Sequence, residues 1–217
     1  MYKNHFYEQH AKNIYSQNGE DGIITEIFRH LNINMGWACE FGAWDGMHLS
    51  NTFNLIKQGW NAVFIEENNS RYITLMNTCS LYPKIHPMHA FVDHVPGSLT
   101  SLDNLLKTTN IPNDFDVLSI DIDTFDYQVW DSLKLYKPKI VIIEINSSID
   151  PNVPNHIHTP GVFNGTSFLP MLRLGQKKGY TFVLHTGNMI FVRNDLYPQL
   201  GLSYSDPLEN FRINWLK

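Results

Sequence analysis

Glu40, Gly42, Asp45 and Gly46 fall within residues 38–46 in the pattern Glu-x-Gly-x-x-Asp-Gly, behind an apolar lead-in that reads as a strand. Glycine has no Cβ, so a strand–turn–helix junction built on it lets the backbone come very close to a bound nucleoside. A pyrophosphate loop uses Gly-x-Gly-x-x-Gly and keeps anions away. This loop instead carries two carboxylates and the bulky Trp44. Carboxylates repel a pyrophosphate and suit the ammonium and sulfonium groups of S-adenosylmethionine. An ordinary turn that happens to hold glycines is the competing reading.

A second set of acids follows at regular intervals. Glu66 lies about 20 residues beyond the glycine loop, where a carboxylate can accept both ribose hydroxyls. Asp121, Asp123 and Glu144 end two later apolar runs. Adjacent parallel strands lie about 4.8 Å apart, so these three carboxylates can share a hard divalent cation such as Mg2+ or Mn2+. Such an ion lowers the pKa of a hydroxyl about to be methylated. Structural roles compete here too: Asp121 orienting a loop, Glu144 meeting a cation elsewhere in the fold. Asp126 reads as a helix cap. The pair His156 and His158 sits in an irregular stretch, where substrate contact or proton removal suits it better than metal ligation. His94 and His185 fall near the same rim and serve equally as packed structural histidines. Gln17 and Glu20 precede the first helical pattern.

These groups need a frame, and hydrophobic periodicity supplies one. Ile23, Ile24, Ile27, Phe28 and Leu31 share a helical face. Strands are predicted at 37–41, 61–66, 86–92, 116–121 and 139–145, with the third, interrupted by Pro87, at a sheet edge. Helices are predicted at 52–58, 71–79, 98–106, 127–133 and 167–178. Strands at 180–185 and 189–193 are joined by Thr186-Gly187-Asn188, a hairpin signal. Alternating βα units closed by a hairpin give an α/β fold: a three-layer αβα, Rossmann-like sheet, mostly parallel, with an antiparallel C-terminal hairpin at its edge. Ligands are expected at the carboxyl ends of its strands.

Composition narrows the choices. At 217 residues the chain fits one domain spanning 1–217. A net charge of −5 and an absence of Lys/Arg clusters argue against nucleic acid as a partner. Cys39 and Cys79 have no paired spacing, which argues against a disulfide framework or zinc knuckle. The amino terminus lacks an apolar leader core and no run approaches spanning length, so a cytoplasmic protein with no membrane partner is expected.

With these residues in view, the chain resembles the class I S-adenosylmethionine-dependent methyltransferases and, more narrowly, the FkbM-like group. The resemblance covers about residues 14–195. It rests on the runs 15–22 (Tyr-Ser-Gln-Asn-Gly-Glu-Asp-Gly), 40–46, 64–66 and 118–123 and on the closing hairpin. It implies an O-methyltransferase acting on a hydroxyl of a small polar acceptor: a sugar, sugar nucleotide or hydroxy acid of surface-glycan or secondary-metabolite synthesis. A homo-oligomer is also expected. Gln17, Glu20, Glu40, Gly42, Asp45, Gly46, Glu66 and Asp121 would hold S-adenosylmethionine, with residues 1–22 folding over it. Asp121, Asp123 and His158 would serve catalysis, Asp121, Asp123 and Glu144 would hold the metal, and 147–166 would form a substrate-side loop. Two departures stand out. Thr124 replaces a frequent glycine, and Ser119 replaces a frequent lysine, which leaves Asp121 without a neighbouring cation. The pattern is similar to that of catechol-type, metal-dependent O-methyltransferases. Two other readings stay open: a metal-independent methyltransferase with His94, His158 or His185 as general base, and a non-catalytic nucleoside-binding protein of the same fold. An NAD-dependent oxidoreductase fits poorly with an acidic loop.

Overall fold

A computed structural model describes residues 6–161, 165–203 and 206–211. The amphipathic segment predicted near the amino terminus forms α1 (Glu20–His30), which leads into β1 (Trp37–Phe41). Then follow α2 (Phe53–Lys57), β2 (Asn61–Glu66), α3 (Asn69–Leu81), β3 (Ile85–His89), α4 (Leu102–Leu106) and β4 (Val117–Ile120). The second half adds α5 (Asp126–Ser132), β5 (Ile140–Glu144), α6 (Phe168–Lys177), β6 (Tyr180–His185) and β7 (Asn188–Arg193). The seven strands form a single sheet in the order β3-β2-β1-β4-β5-β7-β6. This is the mostly parallel α/β sheet the alternation predicts, and strand order reverses between β1 and β4.

The two faces bury separate apolar clusters. On one, Ile23, Ile27, Phe53 and Leu75 of α1–α3 pack on Ala38, Phe64, Ile142 and Ile190. On the other, Leu102, Trp130 and Phe168 of α4–α6 pack on Phe41, Ile65, Ile143 and Phe191. The strands alternate between these clusters, as a sheet covered on both faces requires.

The closing hairpin lies at the edge of the sheet, as the sequence predicts. β7, the antiparallel element, pairs with β5 as well as β6 and so lies inside the sheet, leaving β6 at the edge. Burial explains the choice: Met189 to Val192 are completely buried, whereas Thr181 of β6 is partly exposed. Pro87 does sit on the opposite edge strand, β3, where a missing N–H costs nothing. Helix α4 begins later than predicted because the amides of Ser98 and Ser101 close turns onto Val95 and Ser98. Helix α3 begins earlier, because the Asn68 side chain caps it by accepting the amides of Ser70 and Arg71.

Candidate active site

The register of the sheet collects the acids into one row. Gly42 follows Phe41, which pairs with Ile65 and Ile120; Ile120 pairs with Ile143, and Glu144 pairs with Asn188. Glu66, Gly42, Asp121, Glu144 and Asn188 therefore occupy one level at the carboxyl edge, across β2, β1, β4, β5 and β7. Alternation turns them to the α1–α3 side. A cleft opens where strand order reverses, walled by Gly42, Glu66, Arg71, Asp121 and Asp123, with Phe91, Ile122 and Phe125 as its apolar side.

Gly42 has a positive φ of 73°, and a Cβ there would lie 2.2 Å from the carbonyl oxygen of Asp121. Only glycine lets β1 and β4 stay this close at the cleft floor. Gly46, also at positive φ (80°), does something else: its α-carbon faces Leu75 and Phe64 in the core. Asp45 accepts the amides of Met47 (2.9 Å) and His48 (2.7 Å), closing its own turn. Neither Asp45 nor Gly46 lines the cleft.

Glu66 is buried at the end of β2, and its two oxygens accept the amides of Trp44 (2.8 Å) and Asn68 (2.7 Å). Each oxygen keeps a second lone pair for a ligand hydroxyl. Trp44 is half-exposed, and its ring carries the Arg71 guanidinium at 4.2 Å. Glu40 lies one level deeper, accepting Ser50 Oγ (2.9 Å), Thr52 N (3.1 Å) and Thr52 Oγ1 (2.6 Å). Burial nevertheless raises its pKa to about 7.

Asp121, Asp123 and Glu144 converge, with one oxygen from each lying within 4.8 Å of the others. Asp123 adopts a left-handed conformation (φ 63°), and its carboxylate lies beside that of Asp121. Solvent reaches Asp121 from the cleft, yet the protein packs closely around it. Desolvation first, then Asp123, raises its pKa; desolvation first, then Asp121 and Asp123, raises that of Glu144 further. Asp121 and Glu144 also share a hydrogen bond, with the proton held by Glu144. Three hard oxygen donors brought this close are a donor set suited to Mg2+ or Mn2+. Asp126 is buried, and its Oδ1 accepts the amide of Ile122 (2.9 Å), so it closes the loop after β4 instead of capping α5.

The histidines separate. His185 is buried, contacts Ser147 Oγ through Nε2 (2.8 Å) and stacks on Phe211. His94 stacks flat on Phe125, with ring centroids 4.3 Å apart, and His158 meets the same ring edge-on at 4.9 Å. Phe125 lines the cleft, which brings both imidazoles to its wall. His158 Nδ1 is buried and has no hydrogen-bond partner among the described residues. His156 shares the loop before α6; residues 162–164 of the predicted substrate-side stretch lie outside the described residues, as do 1–5 of the N-terminal segment.

The 15–22 run folds through its acids. Asp21 Oδ2 accepts the amides of Ile14, Tyr15 and Ser16 and the hydroxyl of Ser16, all at 2.7–2.8 Å. Glu20 is buried and reaches across to the β6–β7 turn, accepting Thr186 Oγ1 (2.6 Å) and Asn188 Nδ2 (3.3 Å). Gln17 is exposed and lines a separate polar hollow with Lys12 and Thr186. Sequence reading passed over Arg71 and Asn188. Arg71 lay inside a predicted helix, and Asn188 was absorbed into the hairpin signal.

The sequence matches no protein-family model and no curated protein. Among solved structures, the chain is similar to the fibrillarin pre-rRNA processing protein of Methanococcus jannaschii at 15% identity and a TM-score of 0.49, covering 73% of this chain and 66% of that one. It is similar to a precorrin-6y C5,15-methyltransferase from Geobacter metallireducens at 12% identity and a TM-score of 0.48, over 83% of this chain and 90% of that one. A SAM-dependent methyltransferase from Aquifex aeolicus is similar at 8% identity and a TM-score of 0.47, over 88% of this chain and 97% of that one. The chain thus spans just under two thirds of the fibrillarin.

Proposed function

We propose that this protein is an S-adenosylmethionine-dependent O-methyltransferase that modifies a hydroxyl of a small polar acceptor with help from a divalent cation. The observation that carries the reading is the row Glu66–Gly42–Asp121–Glu144 at the strand-order reversal, with glycine just past the paired ends of β1 and β4, where a Cβ would strike the Asp121 carbonyl oxygen. Glu66 would hold the ribose hydroxyls through its free lone pairs. A flat base fits the apolar wall of Phe91, Ile122 and Phe125. The methionine end then runs over Gly42 toward Asp121, whose negative charge suits a sulfonium. Asp121, Asp123 and Glu144 would hold Mg2+ or Mn2+, which when bound makes a coordinated hydroxyl more acidic. Much of the rate enhancement would come from aligning hydroxyl, methyl and sulfur in line. The acceptor would enter from the side of Phe125 and residues 147–161. A sugar, sugar nucleotide or hydroxy acid suits this acidic, oxygen-rich mouth, and the FkbM-like group is the proposed kinship. The proposed setting is the cytoplasm; among the described residues no helix is long and apolar enough to cross a membrane.

A metal-independent variant is favoured by one observation, the unpartnered Nδ1 of His158 beside Phe125. There His158 would take the hydroxyl proton directly. Calorimetric titration with S-adenosylhomocysteine, with and without Mg2+, tests the central reading. We expect binding, and Glu66→Ala should weaken it at least tenfold. No binding to the wild-type protein would overturn the reading. Turnover that survives chelation would select His158 over the cation.

A further inference from the structure

Asn188 opens β7 directly opposite Glu144, and opposed residues of an antiparallel pair project to the same face. Its side chain is therefore a neighbour of the acid trio, and it is 7% exposed. Nδ2 donates to Glu20 Oε1 at 3.3 Å, an oxygen that also receives Thr186 Oγ1 at 2.6 Å. The other oxygen of Glu20 accepts the amide of Asn18 at 2.8 Å. A carboxylate in this setting only accepts, so the NH2 end of Asn188 must face Glu20. That leaves Oδ1 pointing away from Glu20, buried and without a hydrogen-bond partner among the described residues. An orphaned amide oxygen in a buried site is unfavourable, and native structures rarely tolerate one without a ligand, water or ion.

We propose that Asn188 Oδ1 is a fourth oxygen donor to the cation held by Asp121, Asp123 and Glu144, and that Glu20 is the positioning residue that orients it. This rests on reading the acid trio as a cation site. The chemistry is consistent: a neutral amide oxygen adds a hard ligand without adding charge to three carboxylates that already repel one another. It also gives the N-terminal run a purpose. Asp21 folds residues 14–16 into place, its neighbour Glu20 holds Asn188, and through Asn188 the segment reaches the cation.

The test is Mn2+ titration of the full chain, with free Mn2+ read by electron paramagnetic resonance. Wild type should bind one ion, and Asp121→Asn should abolish that binding. Asn188→Ala should weaken it tenfold or more and shrink the Mn2+-dependent rise in melting temperature, while affinity for S-adenosylhomocysteine measured without metal stays within twofold. Asn188→Thr, whose hydroxyl can still donate to Glu20 but which has no amide oxygen, should weaken Mn2+ binding to a similar extent; this variant carries the test if the alanine form fails to fold. Wild-type Mn2+ affinity in Asn188→Ala, or in Asn188→Thr, overturns the proposal and leaves the trio standing. No Mn2+ binding by wild type, with S-adenosylhomocysteine binding intact, removes the trio and this inference together but spares the donor site.

Discussion

Replacing Gly42 by alanine should damage both stability and donor binding, and the structure gives the size of each effect. An L-residue at φ 73° carries about 1–2 kcal/mol of left-handed strain. The new Cβ would also lie 2.2 Å from the Asp121 carbonyl oxygen, where ordinary contact begins at 3.4 Å. Backbone must therefore move by about an ångström between β1 and β4, and overpacking of that kind costs about 1–3 kcal/mol. Together the two predict a loss of roughly 2–5 kcal/mol, or a fall in Tm of about 4–20 °C for a chain of this length. Gly97 supplies the control: its φ is 80°, but a Cβ there meets nothing within 4 Å. Gly97→Ala should show the strain alone. Urea unfolding and thermal melts measure both variants, and calorimetry with S-adenosylhomocysteine should show at least a tenfold loss for Gly42→Ala and none for Gly97→Ala. Equal destabilisation of the two, or wild-type affinity in Gly42→Ala, would refute the idea that the β1–β4 contact shapes the cleft.

Two further outcomes are expected. Glu40 titrates near 7 in the folded chain against an ordinary value of 4.5, so the folded state holds its proton more tightly than the unfolded one. The stability that this adds is full below about pH 4.5 and is lost as pH rises through 7, a change of about 2–3 kcal/mol between pH 5 and 8. Glu40→Gln should remove that slope; a wild-type-minus-variant difference constant with pH would refute it. Asp21→Ala should strand the amides of Ile14, Tyr15 and Ser16 and destabilise the chain by about 2–4 kcal/mol. Limited proteolysis should then cut within residues 11–19, and an unchanged digestion pattern would show that Asp21 does not anchor the segment.

The strands and their order of types were legible because hydrophobic alternation is a local property. Residues 61–66 and 180–185 were predicted to the residue, and the run 139–145 needed little trimming to become β5. The candidate acids were legible for a related reason: Glu66, Asp121 and Glu144 each end or follow an apolar run, and in a parallel sheet the strand ends are where ligands sit. What local pattern could not tell was direction. Gly42 and Gly46 look equivalent in sequence, yet one faces the cleft and the other faces Leu75. His94, His158 and His185 looked interchangeable until packing put the first two on Phe125 and engaged the third with Ser147 and Phe211.

Sequence alone thus determined the α/β alternation, the glycine-and-acid loop and the recurrence of carboxylates at strand ends. Each of these is written in residues near one another in the chain. Tertiary structure alone decided that β7 inserts beside β5, because strand pairing depends on which distant apolar face buries most surface. That insertion sets Asn188 against Glu144 and brings Glu20, more than a hundred residues away in sequence, into the same polar row. Contacts of such separation leave no periodic trace for a sequence to show.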